Sequence, residues 1–472
     1  MSLVRASFID GSWREGTSAT EVVVDDVTDG SELGRYRAAG AQDAADAVEC
    51  ARAAFAPWAA TPVAERAALL RRTADVLEGH VEEIAQTAAR EIGTPVAQGR
   101  VRHGDLAIAV LRDNADQIER LAWEERLGNS LVLREPAGVA VAITAWNFPI
   151  YQLCTKVVPA LAAGCTVVVK PSELTPLTAV VFVEALVEAG LPAGVANLVI
   201  GTGPEVGEAL VAHPAVDVVS FTGSTATGVR ISQVAAPGVK RVALELGGKS
   251  ACVLLEDAAL DVAVPRFLLG WLNNSGQACA ALSRLIVPRS RLAEVEAALL
   301  AGLADLRLGD PREEDAVIGP MVSEVQRARV TGYIRTGIEE GARLLTGGPD
   351  RPEGFASGHY VRPTVFSDVT SRMTIAQDEI FGPVACVIPV DSDDEAVAVA
   401  NDTRYGLSGS VWSASPERAL AVARRMRTGQ VGVNGGAWNI QAPFGGYRHS
   451  GIGREGGRYG LDEYLEIKAV QL

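Results

Sequence analysis

The chain is short of aromatic residues, histidines and paired cysteines, and each shortage excludes a class of protein. Aromatic residues form 5% of its 472 residues within a hydrophobic content of 48%, so the core has to be built mainly from Ala, Val and Leu. The six cysteines lack the spacing of a metal site or a disulfide framework, and the five histidines do not cluster. We therefore expect no metal site, and we expect a reducing compartment, the cytoplasm.

Long apolar runs and dense basic runs are also missing. No stretch offers about 18 uninterrupted apolar residues for a membrane span, and residues 1–13 contain no apolar run long enough for a signal peptide. The net charge of −15 repels nucleic-acid phosphates and anionic lipids. We expect a small-molecule substrate, with neither nucleic acid nor membrane as a partner.

One cysteine stands apart from the other five. Cys279 follows the polar stretch NNSGQA at residues 273–278, between a helix-like apolar run at 262–272 and a strand-like run at 285–287. A thiol among such small residues is open to an electrophilic carbon. A lone cysteine in a polar loop is more often incidental than catalytic, so its partners have to decide. The others lie in runs typical of small buried hydrophobes: Cys50, Cys154, Cys165, Cys252 and Cys386.

The first third of the chain reads as helical. Residues 41–99 predict consecutive helices broken at Pro62, so that helices open the chain, and a further helical pattern covers residues 101–121. Residues 123–135 contain an Asn-Ser turn signal and predict a hairpin or an extended strand. The length suggests about three domains.

From residue 138 onwards, short β-rich runs alternate with helical segments. This alternation predicts a parallel sheet with helices on both faces and a ligand crevice at the carboxyl ends of its strands. Four residues of chemical interest follow or end such runs, namely Asn147, Lys170, Gly223 and Glu245. Residues 251–433 predict a second α/β block carrying Cys279. The tail, 459–472, alternates like an edge strand, and we expect it to pair with the hairpin near Leu131 of another subunit.

A glycine-rich turn offers a place for an anion. In FTGSTATG, residues 221–228, a strand ends in a Gly-Ser turn before a helix, which presents backbone N–H groups to a pyrophosphate. Such turns are common, and this spacing is not the ordinary GxGxxG fingerprint, so the motif alone is weak.

Six motifs in order give the chain a family resemblance. They are AITAWNFP (142–149), KPSE (170–173), ELGG (245–248), GQAC (276–279), EIFGP (379–383) and PFGGYRHSGIGRE (443–455). The chain resembles the aldehyde dehydrogenase superfamily of the NAD(P)-dependent, hydrolytic type. The resemblance implies an α/β fold with two parallel-sheet domains and a small β oligomerisation extension. The implied divisions are 1–117 with 139–246 for the cofactor, 247–445 for catalysis, and 118–138 with 446–472 as the oligomerisation hairpin and tail.

The resemblance also implies roles for particular residues. Cys279 matches the nucleophile that forms a thiohemiacetal and then a thioester, Glu245 the general base, and Asn147 the side-chain donor to the oxyanion. Lys156 and Glu455 match a proton relay behind Glu245, although a solvated Lys and a structural Glu remain open for them. The product is a carboxylic acid with reduced cofactor.

For the cofactor, the resemblance implies NAD. Lys170 and Glu173 match a pair that contacts the adenosine ribose, and Glu379 matches a carboxylate on the nicotinamide ribose. Glu173 repels a 2′-phosphate and Lys170 partly offsets it, so NAD is favoured while NADP remains possible. The whole cofactor set is Ile143, Trp146, Lys170, Ser172, Glu173, Gly203, Phe221, Gly223, Ser224, Leu246, Glu379 and Phe381.

The substrate channel is expected to have apolar walls. Its residues by position are Phe148, Tyr151, Gln152, Thr155, Ala278, Trp438 and Phe444. Thr155 stands where many relatives carry a large aromatic, which favours an open mouth, and no Arg or Lys stands out as a carboxylate anchor. A neutral aliphatic or aromatic aldehyde is favoured over a semialdehyde acid. Ala226 stands where relatives often have Glu, with no evident effect.

Other readings remain open. A cysteine hydrolase would need a paired base, commonly His, and the five histidines stand far from Cys279 in sequence or in helical patterns. A CoA-acylating relative tends to lack the base that Glu245 supplies. A silent relative would keep the fold and lose the chemistry. The expected assembly is a homodimer or homotetramer through the hairpin and tail.

Overall fold

The computed structural model describes residues 7–472. The interpretation of residues 1–13 as free of a signal peptide therefore lies partly outside the described residues. The strands are β1 (Ser7–Ile9), β2 (Ser12–Arg14), β3 (Glu21–Asp25), β4 (Glu32–Arg37), β5 (Glu124–Leu127), β6 (Ser130–Pro136), β7 (Val139–Ile143), β8 (Thr166–Lys170), β9 (Ala196–Val199), β10 (Val218–Thr222), β11 (Arg241–Glu245), β12 (Ala251–Leu254), β13 (Arg284–Pro288), β14 (Arg343–Thr346), β15 (Thr364–Ser367), β16 (Val384–Val390), β17 (Gly409–Trp412), β18 (Gly432–Val433), β19 (Gly451–Ile452) and β20 (Leu465–Gln471).

The helices separate these strands as the alternation predicts. They are α1 (Ala41–Ala59), α2 (Val63–Glu78), α3 (Val81–Glu91), α4 (Val96–Gly99), α5 (Leu106–Arg120), α6 (Pro149–Ala163), α7 (Leu177–Glu188), α8 (Glu208–Ala212), α9 (Thr225–Ala235), α10 (Leu260–Trp271), α11 (Leu292–Ala304), α12 (Glu324–Glu339), α13 (Thr374–Gln377), α14 (Asp393–Asn401), α15 (Pro416–Ala423) and α16 (Gly457–Asp462). Two π-helical segments, Arg100–Asp105 and Gly203–Gly207, run into α5 and α8. No helix in residues 7–472 combines the length and the apolar character needed to cross a membrane.

The first large sheet has the strand order β19-β11-β10-β7-β8-β9-β1-β2. Its central strands β7, β8 and β10 are buried along their whole length, which suits their β-branched and small side chains. Strands β11, β10, β7, β8 and β9 run parallel. The register aligns Ile143 with both Lys170 and Phe221, and Thr222 with Glu245, so these residues lie together at the carboxyl edge.

The second large sheet has the order β14-β15-β16-β13-β12-β17-β18, and only β14 runs against its neighbour. Its contribution to the site comes from the opposite end of the strands. Cys279 lies between α10 and the start of β13, and Glu379 and Phe381 directly precede β16. The site therefore lies between the carboxyl edge of the first sheet and the amino edge of the second. The carboxyl-end expectation holds for the first sheet only.

The small third sheet corrects one prediction. The tail does form a strand, β20, but it pairs antiparallel with β6 of its own chain, with Val470 opposite Leu131. The expected pairing with another subunit's hairpin is therefore wrong. An alternating pattern identifies an edge strand but carries no information about which chain supplies its neighbour. β5 completes the sheet on the other side of β6, and the hairpin was predicted correctly.

The N-terminal region corrects a second prediction, that helices open the chain. Strands β1 to β4 precede the first helix, so helices do not open the described part of the chain. β1 joins the first sheet beside β9, and β3 pairs with β4 as a separate hairpin. These strands have three to six residues, which is too short for a clear period of two, and the partner of β1 is distant in sequence. The helices predicted from residue 41 to 121 are present, with α2 beginning directly after Pro62.

Candidate active site

The loop before Cys279 has an unusual backbone. Asn274, Ser275 and Gly276 have φ angles of 50°, 58° and 78°, so three successive residues adopt the left-handed conformation. For a residue other than glycine this costs about 1–3 kcal/mol and persists only where surrounding contacts enforce it. A Cβ on Gly276 would lie 2.3 Å from the Gly382 carbonyl oxygen, so this position requires glycine.

Buried hydrogen bonds hold that conformation. The Thr94 hydroxyl donates to Asn274 Oδ1 (2.7 Å), and the Asn274 backbone N–H donates to Gln98 Oε1 (3.1 Å). Asn274 Nδ2 donates to the Asn147 carbonyl (3.0 Å), which ties the loop to the segment after β7. Sequence reasoning missed Thr94 and Gln98, because each stands far from Asn274 in the chain and belongs to no recognisable motif.

The Cys279 thiol is half-buried at the end of this loop. Burial raises its pKa to about 12, and the nearby carboxyl groups of Glu379 and Glu245 act in the same direction. The thiol is therefore protonated at neutral pH, and more firmly than the ordinary thiol assumed from the sequence. Attack by its sulfur needs a group that takes the proton. No histidine in residues 7–472 hydrogen-bonds to Cys279, whereas a cysteine hydrolase would need such a base.

Glu245 ends β11 and is 5% exposed. Neither of its carboxyl oxygens has a hydrogen-bond partner within residues 7–472. Burial raises its pKa well above the usual value, the charge of Glu455 adds to this, and Lys156 and Arg454 oppose it. An unpaired buried carboxyl of this kind is costly for stability and is suited to proton transfer near neutral pH.

Lys156 and Glu455 form a buried ion pair. Lys156 lies on α6 with no exposed surface, and its Nζ donates to Glu455 Oε1. The Glu455 backbone exchanges two hydrogen bonds with Phe444, so the carboxylate is fixed in place. The two charges act on the pKa of Glu245 in opposite directions, Glu455 raising it and Lys156 lowering it.

Asn147 is 2% exposed, and its amide is bonded at both ends. Its Nδ2 donates to the Gln277 carbonyl (3.0 Å), and its Oδ1 accepts from Gln152 Nε2 (2.7 Å). The NH₂ group therefore faces the chain segment that leads to Cys279, and one of its two N–H groups is not used.

A cleft of about 610 Å³ opens at the carboxyl edge of the first sheet. Nine of the residues predicted to bind the cofactor line it, namely Ile143, Trp146, Lys170, Ser172, Glu173, Gly203, Phe221, Gly223 and Ser224. At its floor, Ser224 caps α9 by accepting from the Thr227 N–H (3.2 Å). The first N–H groups of a helix have no partner within it, so those of Thr225 and Ala226 are available to an anion. Gly223 is required here because a Cβ would lie 2.3 Å from the Phe221 ring.

Lys170 and Glu173 lie at the side of this cleft. Lys170 Nζ donates to the Pro171 carbonyl (2.8 Å) and to Glu173 Oε2 (3.4 Å). Burial lowers the pKa of Lys170, and Glu173 partly offsets that change. The carboxylate is therefore held beside the cleft by an ammonium that is itself 3% exposed.

A second cavity of about 190 Å³ joins the cleft to the thiol. It shares Trp146, Gly223 and Ser224 with the cleft and adds the three remaining predicted cofactor residues, Leu246, Glu379 and Phe381, together with Asn147 and Cys279. Glu379 Oε1 accepts from the Gly248 N–H (3.0 Å), and burial raises the pKa of this carboxyl to about 6.

Two residues of α12 hold that side of the second cavity and were missed from the sequence. Gln326 Nε2 donates to the Phe381 carbonyl (2.7 Å), and Arg329 Nη2 donates to the Glu379 carbonyl (2.7 Å). Both side chains also line the cavity. The pattern of α12 gives no local signal for this role. The Phe381 ring lies edge-on to Trp146, with 5.2 Å between ring centroids.

The predicted channel residues lie in different surroundings. Phe148 stacks on the buried His103 ring (5.6 Å between centroids), and Trp438 packs on Phe444 (5.5 Å). Ala278 is buried beside Cys279. Thr155 and Tyr151 border a small void of about 10 Å³, room for roughly one water, so Thr155 meets a closed space there. Gln152 is 6% exposed, and its amide is bonded to Asn147 and the Ala145 N–H.

A cation that the sequence did not single out lies beside Tyr151. Arg102, on the π-helical segment, is half-buried, and within residues 7–472 no carboxylate comes within 4.0 Å of it. Burial lowers its pKa, and its charge acts on the Tyr151 phenol. The neighbouring His103 has no hydrogen-bond partner in the same range, and burial lowers its pKa to about 3.

Known proteins match this chain over nearly its whole length. The model of the aldehyde dehydrogenase family matches residues 13–470. A 3-succinoylsemialdehyde-pyridine dehydrogenase of a Pseudomonas species is 46% identical, covering 99% of this chain and 98% of that protein. A putative aldehyde dehydrogenase of Staphylococcus aureus is 41% identical, with 98% of both chains covered.

Solved structures agree with this match. An aldehyde dehydrogenase C mutant of Pseudomonas syringae, in complex with NAD⁺ and octanal, is 46% identical with a TM-score of 0.98, covering 99% of this chain and 96% of that one. A Mycobacterium tuberculosis aldehyde dehydrogenase in complex with NAD⁺ is 42% identical with a TM-score of 0.96, covering 99% and 98%.

Proposed function

The chain belongs to the aldehyde dehydrogenase family, and we propose that it oxidises an aldehyde to a carboxylic acid with NAD by covalent catalysis at Cys279. One observation carries the assignment of the site. The cavity that holds Cys279, Asn147 and Glu379 opens into the 610 Å³ cleft through Trp146, Gly223 and Ser224. A thiol at the inner end of a dinucleotide-sized cleft suits the transfer of hydride from a carbon bonded to sulfur.

NAD fits the residues that line the cleft. The free N–H groups at the start of α9 suit the pyrophosphate, and the Glu173 carboxylate suits a ribose hydroxyl. Glu379, in the second cavity, would hold the other ribose. When bound, NAD supplies the hydride acceptor. NADP remains a slower alternative, because Lys170 partly compensates the repulsion between Glu173 and a 2′-phosphate.

The first chemical step forms a bond between Cys279 Sγ and the aldehyde carbon. The thiol proton passes to Glu245, whose raised pKa makes the carboxylate a stronger base than an exposed one. The unused N–H of Asn147 and the backbone N–H of Cys279 stabilise the oxyanion of the thiohemiacetal. When the carbon–hydrogen bond breaks, a thioester remains on Cys279.

The second step releases the acid. Glu245 first releases the thiol proton outwards, and its carboxylate then takes a proton from a water that attacks the thioester, so that the Cys279 sulfur leaves. Lys156 and Glu455 lie behind Glu245 and would pass that proton outwards, since their ion pair is buried and in electrostatic contact with it.

The substrate we propose is a neutral aliphatic or aromatic aldehyde. The aromatic side chains of Phe148, Tyr151, Trp438 and Phe444 suit an apolar chain or ring, and the related Pseudomonas syringae structure contains octanal.

Arg102 favours a second candidate, an aldehyde with a polar or anionic far end. It is a half-buried cation without a carboxylate partner in residues 7–472, and a relative named as a 3-succinoylsemialdehyde-pyridine dehydrogenase is 46% identical. A charge-assisted hydrogen bond contributes about 1.5–3 kcal/mol, so Arg102→Met is expected to lower kcat/KM for succinic semialdehyde by roughly tenfold or more. Butanal should be unaffected, and Arg52→Met, at an exposed position on α1, is the control. If kcat/KM for succinic semialdehyde and for butanal stays at the wild-type value in both variants, the second candidate is excluded.

We propose a homodimer or homotetramer in the cytoplasm. The six unpaired cysteines suit a reducing compartment. The third sheet exposes Leu127 and Ile467, the latter by 71%, and we propose that residues 118–138 and 446–472 form the subunit contact. Sedimentation analysis of the wild type and Ile467→Lys tests this, since a stable monomer in both would exclude it.

The decisive experiment follows reduced-cofactor absorbance with NAD and then NADP across aliphatic, aromatic and acid-bearing aldehydes. Turnover should be fastest with NAD, and Cys279→Ala should reduce it to background. Cys50→Ala, a half-buried cysteine on α1, is the matched control and should retain full activity. A wild type without turnover on any aldehyde would favour a silent relative instead.

A further inference from the structure

Gln152 occupies an unusual position between two groups whose hydrogen-bonding roles are fixed. It lies on the first turn of α6 and is 6% exposed. Its Oε1 accepts from the Ala145 backbone N–H (2.8 Å), and its Nε2 donates to Asn147 Oδ1 (2.7 Å). Asn147 Nδ2 in turn donates to the Gln277 carbonyl (3.0 Å).

The two ends of this chain of amides determine its direction. A backbone N–H can only donate and a carbonyl oxygen can only accept. Turning the Gln152 amide over would set its NH₂ against the Ala145 N–H. Turning the Asn147 amide over would set its oxygen against the Gln277 carbonyl and its NH₂ against that of Gln152. One orientation therefore satisfies all three contacts, and both side chains are buried too deeply for water to offer another.

We infer that Gln152 is a positioning residue that keeps the Asn147 amide turned with its NH₂ group towards the Cys279 loop. This rests on the proposed function, in which Asn147 donates to the oxyanion. Without Gln152, nothing else in residues 7–472 bonds to Asn147 Oδ1, and the bond from Nδ2 to the Gln277 carbonyl alone opposes a turn of the amide that brings its oxygen towards the reacting carbonyl. An oxygen there would repel the developing negative charge.

Two substitutions of similar size separate this role from simple packing. Gln152→Met keeps the volume and removes both hydrogen bonds, and should lower kcat roughly tenfold. In Gln152→Glu an ionised carboxylate still accepts from Ala145 but cannot donate to Asn147, so the Asn147 amide is driven to turn over. Losing an oxyanion donor in this way is expected to lower kcat about 100-fold.

The pH dependence of Gln152→Glu provides the diagnostic measurement. A protonated Glu can donate through its hydroxyl, so its kcat relative to wild type should rise as the pH falls from about 9 to about 6, since burial raises the pKa of a carboxyl. Gln152→Met should show a constant ratio to wild type over this range. KM for NAD should stay within twofold in both variants. Gln86→Met, on α3 and bonded only to Glu82, is the control for a neutral Gln replacement.

The possible outcomes distinguish a failure of the proposed function from a failure of the role inferred for Gln152. Wild-type turnover that disappears in Cys279→Ala tests the proposed function by itself. With that turnover present, a pH-dependent recovery in Gln152→Glu alone supports the inference. Equal losses at every pH in both variants would show a packing role and overturn it, as would wild-type kcat in Gln152→Glu. Circular dichroism and NAD binding, measured through the quenching of tryptophan fluorescence, would reveal a misfolded variant. Gln152→Asn, which is shorter by one methylene, would then replace the misfolded variant, and we expect it to lower kcat as much as Gln152→Met does.

Discussion

The cleft and the second cavity, which contains Cys279, are formed at opposite ends of the strands of their sheets. The cleft lies at the carboxyl edge of the first sheet, where β7, β8, β9 and β10 each lead to a helical segment, so backbone N–H groups are available without any special side chain. The Cys279 loop, Glu379 and Phe381 lie at the amino edge of the second sheet, where helices end and carbonyls point outwards. Binding at the first edge depends on backbone geometry, whereas chemistry at the second depends on single side chains.

The largest expected difference between these regions concerns Glu245, which belongs to the first sheet but serves the thiol. Glu245→Gln is expected to lower kcat by about 100-fold to 10,000-fold, because the variant cannot accept the thiol proton. The dissociation constant of NAD should remain within about twofold. Steady-state kinetics and NAD titration measure the two quantities, and Glu184→Gln, an exposed carboxyl on α7, is the control. A similar loss in NAD affinity would show that the cleft and the cavity are not separable in this way.

A pH titration sharpens the comparison at Glu379. Burial raises the pKa of this carboxyl to about 6, so its share of folding stability is full below its ordinary pKa of 4.5 and is lost as the pH rises through about 6. Cofactor binding has the opposite sign, because an ionised carboxylate is needed to accept from ribose hydroxyls. NAD should bind about tenfold more weakly at pH 5 than at pH 7, with no such change in Glu379→Gln. An identical pH dependence in the variant would remove Glu379 from cofactor binding.

The smallest expected effect lies in the cleft, where the backbone does most of the binding. Glu173→Gln removes the negative charge beside Lys170 and should improve kcat/KM for NADP by about tenfold, while NAD changes by a few-fold at most. Glu188→Gln, at an exposed position on α7 that does not line the cleft, serves as the control. Unchanged NADP kinetics in Glu173→Gln would mean that the backbone alone sets the cofactor preference.

Local patterns in the sequence predicted the helices, strands and motifs better than they predicted which residues these contact. The motifs around Cys279 and Glu245 and the β-rich runs were sufficient for the fold class, the family and the position of the cleft. The hydrogen bond between Thr94 and Asn274 joins residues 180 positions apart, and no local pattern in either segment predicts it. Gln152 was assigned to the channel by its position in the sequence close to Asn147, whereas the folded chain shows that its amide is bonded to Asn147 and to the Ala145 N–H.

The same limit explains the two errors in the fold. The alternating pattern of residues 465–471 identified a strand, but pairing within the chain or between chains has the same local pattern. β1 pairs with β9, which is distant in sequence, and the three to six residues of β1 to β4 are too few for a periodic signal.

The pairing of β20 with β6 also sets the order of events during synthesis. Ser130 bonds to Gln471, 341 residues later, and the Leu472 N–H reaches the Asn129 carbonyl. At a translation rate of about 5–20 residues per second, the β5–β6 hairpin waits roughly 17–70 seconds for its third strand. A two-stranded hairpin is only marginally stable alone, so this sheet closes only once residues 465–471 have been made. Removal of these residues would leave β6 with an open strand edge, which is a template for pairing with another chain.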